Sequence, residues 1–440
     1  TFLIGCLPTH ASIGVAAPII LVVLRFVQGF GVGGEWGGAV LMAVEHGHAG
    51  KRGFYASWAQ AGVPMGLLLA NGIFLLGQGQ LTETQLMDWG WRVPFLLSIV
   101  LLAISLWMRL KLSESPVLQA MKAAGETAAN PFVESFTYPG NKKRIFVALF
   151  GITGVLTTIW YTAFFSGLSF LRGPMRVDEG VVEWMLLVAG LIAMSFYIVV
   201  GRWSDRIGRK APIILGAGLS LVLLFPVFWG MGQLANPGLA EAAERTPVVV
   251  TGQNCRPDPF AELFGREQSD CGKLLDTLTS SGVRYELRDG GSLGLTVGGQ
   301  PVALAEGWFT DGTAMREGVR GALTQRGFDF SPQTPPVANI LGIVALLLVM
   351  GMLSALTYGS VAALLAEMFP PRIRYSSMSI PYHIGAGYLG GFLPLIAGII
   401  VARTGDIYAG LWYTWIVVAF GVVVAWFGLP SGPPRDFEDR

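Results

Sequence analysis

Three polar side chains inside one apolar stretch have the types and spacing to do chemistry. Residues 19 to 44 read IILVVLRFVQGFGVGGEWGGAVLMAV and hold Arg25, Gln28 and Glu35. At 100° per residue, Gln28 and Glu35 fall about −60° and −80° from Arg25, so all three share one helical sector facing away from lipid. A charge at that depth costs at least ~2.5–3.5 kcal/mol on insertion scales and is kept where it handles a solute, an ion or a proton. Arg25 suits a carboxylate clamp, a positive charge that tunes a nearby proton-carrying acid, or a structural Arg satisfied by backbone carbonyls. Glu35 suits either the carrier of a coupled proton or a fixed partner for a basic residue elsewhere. Gly29, Gly33 and Gly37 run down the adjacent side at four-residue spacing and let another helix approach closely.

Weaker candidates sit in other apolar runs: Trp160, Tyr161, Tyr358 and His383. Aromatics in such runs more often pack than bind, and a single buried His is more often hydrogen-bonded and inert than titrating. No Walker loop, nucleophile elbow or metal-ligand cluster occurs, which argues against ATP-driven transport and an embedded enzyme; no catalytic residue, metal or cofactor is assigned. The net charge of +1 and the lack of a basic tail give no sign of nucleic acid as a partner.

The elements that must position these residues follow from composition. Hydrophobic residues make up 52% of the chain and charged ones 13%, about half the charged share of a soluble protein. Nine complete apolar spans are expected, at 18–46, 54–76, 93–110, 145–168, 182–200, 211–233, 338–366, 376–401 and 409–429, each long enough to cross a bilayer. TFLIGCLP at the start reads as the tail of another. The chain opens on Thr1 in mid-span without an initiator Met, so it is expected to be a fragment. Lys and Arg in the short loops divide fourteen against four: Lys51, Arg52, Arg109, Lys111, Lys122, Lys142, Lys143, Arg144, Arg202, Arg206, Arg209, Lys210, Arg372 and Arg374 against Arg92, Arg172, Arg176 and Arg403. The first set is expected on the cytoplasmic side.

Residues 234–336 then fall on the outer side. They are polar, with a helical run (FAELFGREQSDCGKLLDTLTSSG) and strand-like runs (TPVVVTG, VRYELRD, SLGLTVGGQPVAL), and read as a small α+β domain. Two of the three cysteines, Cys255 and Cys271, lie here; an oxidising compartment would let them pair, the alternative being two free thiols sharing a domain.

The chain also repeats itself. LMAVEHGHAGKRG (41–53) aligns without a gap on ALLAEMFPPRIRY (363–375), pairing Glu45 with Glu367, Arg52 with Arg374 and, further up, Gly37 with Gly359. Two-fold repetition of a multi-helix unit suits a carrier whose halves rock about a central site, although so short a match also arises by coincidence. More specific is GRWSDRIGRK (201–210), between two spans on the basic side, with Gly201, Asp205, Arg206, Gly208, Arg209 and Lys210 in place. It resembles the loop signature G-x-x-x-D-R/K-x-G-R-R/K of the major facilitator superfamily. RFVQGFGVGGEWGGAVLMAVEH and AEMFPPRIRYSSMSIPYHIGAGYLGGFLP resemble the metabolite:proton symporter family within it, importers of organic acids and zwitterions such as 2-oxoglutarate, shikimate, proline and betaine.

That resemblance implies an all-α membrane protein, a major facilitator fold of two six-helix halves entered within helix 3, with the α+β insertion as a departure. Residues 1–111 would complete the N-terminal half, 112–143 link the halves, 144–233 form helices 7–9, 234–336 the extracytoplasmic insertion, 337–430 helices 10–12, and 431–440 a cytoplasmic tail. It places Trp160, Tyr161 and Tyr358 in cavity-lining helices and gives Arg25 a proton-coupling role. For the 201–210 loop it implies a cytoplasmic gate. Glycines would permit a tight turn, Asp205 would face the helix start after Arg52, and Arg206 or Arg209 would reach Glu367. A merely solvated basic loop is the plain alternative. The expected function is proton-coupled uptake of a small metabolite across a bacterial inner membrane by a monomer whose partners are the solute, protons and the bilayer. An efflux carrier, or a transporter-like sensor using the outer domain, are the alternatives.

Overall fold

The computed structural model describes residues 1–48, 50–111, 115–253, 255–258 and 267–434. Among them, nine helices are long and apolar enough to cross a membrane. They are α1 (Ala16–Glu45), α2 (Arg52–Gln80), α3 (Val93–Lys111), α4 (Asn141–Arg172), α5 (Glu179–Ile207), α6 (Lys210–Ala235), α10 (Val337–Met368), α11 (Pro371–Thr404) and α12 (Leu411–Gly428), the intervening numbers belonging to the insertion. Each coincides with one of the nine apolar spans, and several run a turn beyond the apolar residues because polar ends continue the backbone ladder.

α4 shows how buried backbone is satisfied where the ladder loosens. Val147–Thr153 and Thr162–Ser166 are π-helical. Thr153 Oγ1 lies within 3.0 Å of the Ala148, Leu149 and Pro381 carbonyls, to one of which its proton goes, and Thr157 Oγ1 lies 3.2 Å from the Gly385 carbonyl on α11. A Cβ on Gly385 would come within 2.5 Å of Thr153 Oγ1. The threonines thus repair the ladder of one helix and join it to the next, which apolar surroundings demand.

The insertion holds α7 (Pro237–Arg245), α8 (Asp270–Ser280) and α9 (Gly312–Thr324) with strands β1 (Val248–Gly252), β2 (Tyr285–Asp289), β3 (Gly294–Val297) and β4 (Gln300–Val302). Strand order is β2-β1-β3-β4, with β1 parallel to β2 and antiparallel to β3. Val248, Val250, Leu295 and Val297 alternate inward against Leu274, Leu278, Val319 and Leu323. The three strand-like runs supply all four strands. The expected helix is described from Asp270 onward, capped by Ser269, and its residues 260–266 lie outside the described residues. α9 went unread because its apolar face is carried by only Met315, Val319 and Leu323.

Cys255 and Cys271 are buried and disulfide-bonded, with Cα atoms 5.3 Å apart. Opening a loop of 16 residues should cost the domain about 3 kcal/mol. Cys255→Ser should therefore speed proteolytic cleavage within 234–336; unaltered protection would mean that the bond contributes nothing.

The insertion is fixed to the membrane helices at two turns. Asn236 Nδ2 donates to the Met175 carbonyl at 3.2 Å, beside the α4–α5 turn. At the α11–α12 turn, the Tyr285 N–H donates to the Gly405 carbonyl at 3.1 Å and its hydroxyl to the Ala402 carbonyl. Gly405 caps α11 at φ 72°, which suits glycine. Burial pushes the Tyr285 phenol up to about 12, so it stays a neutral donor.

The segment read as the link between the halves, 112–143, is partly helical, over Pro116–Ala124 and Pro131–Thr137, each started by a polar cap and a proline. Residues 112–114, and 435–440 of the expected tail, lie outside the described residues. Asn141 Nδ2 donates to the Ser135 carbonyl and the Ser377 hydroxyl, and Arg372 pairs with Glu134, so the second helical piece docks on α11.

Candidate functional site

The 201–210 motif forms a buried polar latch. α5 carries Gly201, Ser204 and Asp205 on its last turns and ends at Gly208, whose φ of 96° makes the tight turn. Gly201 does something else than the expected turn: it lies inside the helix, where a Cβ would come within 2.6 Å of the Gly53 carbonyl. Its role is to let α5 and α2 touch backbone to backbone. That contact puts Asp205 over the start of α2, where Oδ1 accepts from the Gly53 N–H at 2.8 Å and Oδ2 from the Phe54 N–H at 3.0 Å. A carboxylate there satisfies two orphan donors and meets the positive end of the helix dipole.

Arg209 connects this to α10. Its Nη1 donates to Asp205 Oδ1 at 2.8 Å and Ser204 Oγ at 2.7 Å, while Nε and Nη2 grip both oxygens of Glu367 at 3.1 and 2.7 Å. Arg209 is 5% exposed and Glu367 2%. Burial alone would depress the guanidinium, but Glu367 and Asp205 outweigh it and hold the group above its ordinary value, fully charged. Of the two arginines expected to reach Glu367, Arg209 does so; Arg206 is exposed on the other side of the turn. Lys210 leaves the latch altogether, its Nζ bonding the Trp426 carbonyl over that ring.

A second ion pair crosses nearby, from Arg374 Nη1 to Glu45 Oε1 at 3.4 Å, with Arg374 Nε on the Phe369 carbonyl. Glu45, Arg52, Glu367 and Arg374 line one cavity of about 80 Å³, so the repeated segments meet around a shared centre. Asp205→Asn keeps the shape but removes the charge from the start of α2 and from Arg209. Loss of charge-assisted bonds of ~1.5–3 kcal/mol should change the rate of any opening at this end by about ten- to a hundredfold, with the fold intact by circular dichroism. An unchanged rate would remove Asp205 from the latch.

The other residues separate into two groups. Arg25 is exposed on α1; Nη1 donates to Gln28 Oε1 at 3.1 Å, Gln28 Nε2 to Thr1 Oγ1 at 2.8 Å, and the guanidinium lies 5.9 Å from the centre of the Phe95 ring. Glu35 is on the same helix but about 15 Å along its axis, beyond reach of Arg25. Trp160, Tyr161, Tyr358 and His383 belong instead to an aromatic layer where α1, α2, α4, α5, α10 and α11 converge. Trp36 stacks on Tyr382 at 3.4 Å between centroids and meets His383 edge-on at 6.4 Å. Trp36 Nε1 donates to Gln60 Oε1 at 3.0 Å. The Tyr358 and Tyr382 side chains share a hydrogen bond, and Tyr197 lies 6.0 Å from Tyr358 with its hydroxyl 2.8 Å from Ser354 Oγ. Trp160 packs against Tyr161 at 5.2 Å.

In this layer Trp160 Nε1, Gln60 Nε2 and His383 Nε2 are buried without hydrogen-bond partners. Each is a buried donor or acceptor left open among these side chains. Sequence reading missed Trp36, Gln60, Tyr197 and Tyr382. Trp36 adjoins Glu35 and Tyr382 adjoins His383, yet nothing in the chain says that positions 346 residues apart stack.

The model of the Major Facilitator Superfamily matches residues 1–242. The inner membrane metabolite transport protein YhjE of Escherichia coli K12 is 38% identical over 65% of this chain and 62% of its own length. The shikimate transporter of the same organism is 39% identical over 52% of each chain, and its proline/betaine transporter 32% identical over 52% of this chain and 47% of its own. The chain thus spans about half to three-fifths of the length of these relatives.

Proposed function

The chain belongs to the major facilitator superfamily, and from that premise we propose that it forms much of a secondary carrier for a small organic acid or zwitterion, coupled to protons in the direction of uptake. The latch carries the reading. Asp205, Arg209 and Glu367 tie α5 and α10 to the start of α2, while Glu45 and Arg374 tie α1 to α11. Buried ion pairs are bistable elements: fully satisfied or broken, with little between. A set of them at one end of the bundle suits a gate that opens and shuts by rocking.

In this proposal the solute sits in the aromatic layer. Tyr161, Tyr358, Tyr382 and His383 offer hydrogen bonds, and Trp36 and Trp160 offer faces to a cation or an apolar body. Arg25 with Gln28 supplies the positive charge, for the solute's carboxylate or for tuning a proton-carrying acid within its reach, and Glu35, about 15 Å further along the helix, is a separate carrier of the coupled proton. Relatives named for shikimate and for proline and betaine support that solute class. Solute and proton enter from the insertion's side, the latch breaks, and both leave past Asp205. The division of basic residues and the disulfide support an inner-membrane, multi-pass placement with 234–336 outside.

The test is uptake of labelled organic acids and betaines by cells expressing the gene, with and without a protonophore. Saturable accumulation that collapses with the proton gradient is the expected result. No accumulation of any of them, by protein shown to be in the membrane, would overturn the proposal.

A further inference from the structure

A cavity of about 860 Å³ lies where the insertion meets the ends of α6 and α11 and the turn into α12. Two arginines line it, Arg284 from the insertion and Arg403 from α11. One backbone junction brings them together: the Tyr285 N–H donates to the Gly405 carbonyl at 3.1 Å, with Arg284 just before the first residue and Arg403 shortly before the second. A Cβ on Gly405 would collide with the Tyr285 carbonyl, so the junction requires glycine. Both arginine side chains are exposed, and among the described residues neither makes a hydrogen bond or an ion pair.

The acids of the same cavity do not cancel them. Glu286 is taken by Arg288, whose Nε and Nη2 each donate to it at 3.1 Å. That leaves Asp406, whose Oδ1 accepts from the Tyr408 N–H at 3.0 Å, against two arginines, and the lining is positive. The rest of the wall is aromatic and apolar. Trp229 of α6 is exposed at the cavity, and the Tyr408 hydroxyl sits over Gly232, where a Cβ would come within 2.5 Å. Trp412, at the start of α12, packs on Phe225 of α6 at 4.9 Å between ring centres and is half exposed. Further from the cavity, α6 and α12 expose Val222, Ile416 and Phe420.

Exposed indoles at helix ends, above apolar side chains, mark the depth of lipid headgroups. Guanidinium donors match phosphate oxygens, and basic pockets between membrane helices hold anionic headgroups. A free anion would use the arginines alone, whereas a lipid uses the arginines, the aromatic rim and the apolar helix faces together. We propose that this cavity binds the headgroup of an anionic phospholipid from the leaflet on the insertion's side, with Arg284 and Arg403 on the phosphate and the acyl chains along α6 and α12. Occupation would fasten the insertion to the bilayer as well as to the helices. The site shares no residue with the aromatic layer or the latch, and its test does not depend on transport.

The purified protein in a neutral detergent is titrated with phosphatidylglycerol at constant ionic strength, and bound lipid is counted by native mass spectrometry. The tightest binding event should saturate at one lipid per chain. Arg284→Gln and Arg403→Gln should each raise its Kd at least about tenfold, the loss of one charge-assisted partner. Both side chains are exposed and unpaired, so each variant should unfold at the wild-type temperature, and either serves if the other fails to fold. Lys142→Gln, at the opposite end of the bundle, should leave the Kd unchanged. Phosphatidylcholine, with the same phosphate and no net charge, should bind at least about fivefold more weakly, and inorganic phosphate should not displace the lipid. An equal loss in Lys142→Gln would reduce the binding to diffuse surface charge. Displacement by inorganic phosphate would make the cavity a free-phosphate site. Either result, equal affinity for phosphatidylcholine, or unchanged affinity in the arginine variants would overturn the proposal.

Discussion

Arg209→Ala should destabilise the protein by about 3–5 kcal/mol, the range for stripping one partner from a buried ion pair. Glu367, 2% exposed, would keep its charge with no counter-charge from Arg209, and Asp205 would lose its closest cation. The loss should appear in detergent as a lower midpoint of chemical or thermal unfolding. Replacing both members, Arg209→Met with Glu367→Leu, should restore most of the stability, because an apolar pair fills the space without the desolvation cost. It should not restore transport, because a greasy contact has no fully satisfied closed state to return to. A single variant within about 1 kcal/mol of the wild type would mean that water reaches Glu367, and the latch would lose its energetic basis.

Arg25→Ala should have the opposite profile, with stability held and uphill uptake abolished. The side chain is exposed and, among the described residues, makes one side-chain hydrogen bond, to Gln28 at 3.1 Å, so truncation should shift stability by no more than about 0.5 kcal/mol. If Arg25 clamps a carboxylate, solute affinity should fall about ten- to a hundredfold. Arg25→Lys separates the two proposed roles. A Lys provides charge but no planar fork, so it should support proton coupling while failing as a bidentate clamp. Uphill uptake persisting in Arg25→Ala would remove the residue from the mechanism.

The nine membrane helices were legible because each must be apolar over a bilayer's thickness, a property that composition alone displays. The strands were legible for a similar local reason: in VVVTG and LTV every second residue is buried. The linker helices at Pro116 and Pro131 were less so, since their start signals are one cap and one proline each.

The latch was half legible. A Glu near the end of an apolar span and a single Asp in a basic loop restrict the possible partners, and Asp205 stands on the start of α2 while Glu367 takes an arginine of the loop. Which arginine was not decidable, since Arg206 and Arg209 differ only in the side of the turn they leave. Gly208 makes that choice by reversing the chain at φ 96°. Sequence by itself determined the membrane class, the nine apolar spans found among the described residues, and the inserted domain. Tertiary structure alone decided that Trp36 stacks on Tyr382 and that Gly201 meets Gly53. The first set follows from each residue's own transfer free energy between water and lipid, whereas the second depends on close packing between segments distant in the chain, which no local pattern encodes.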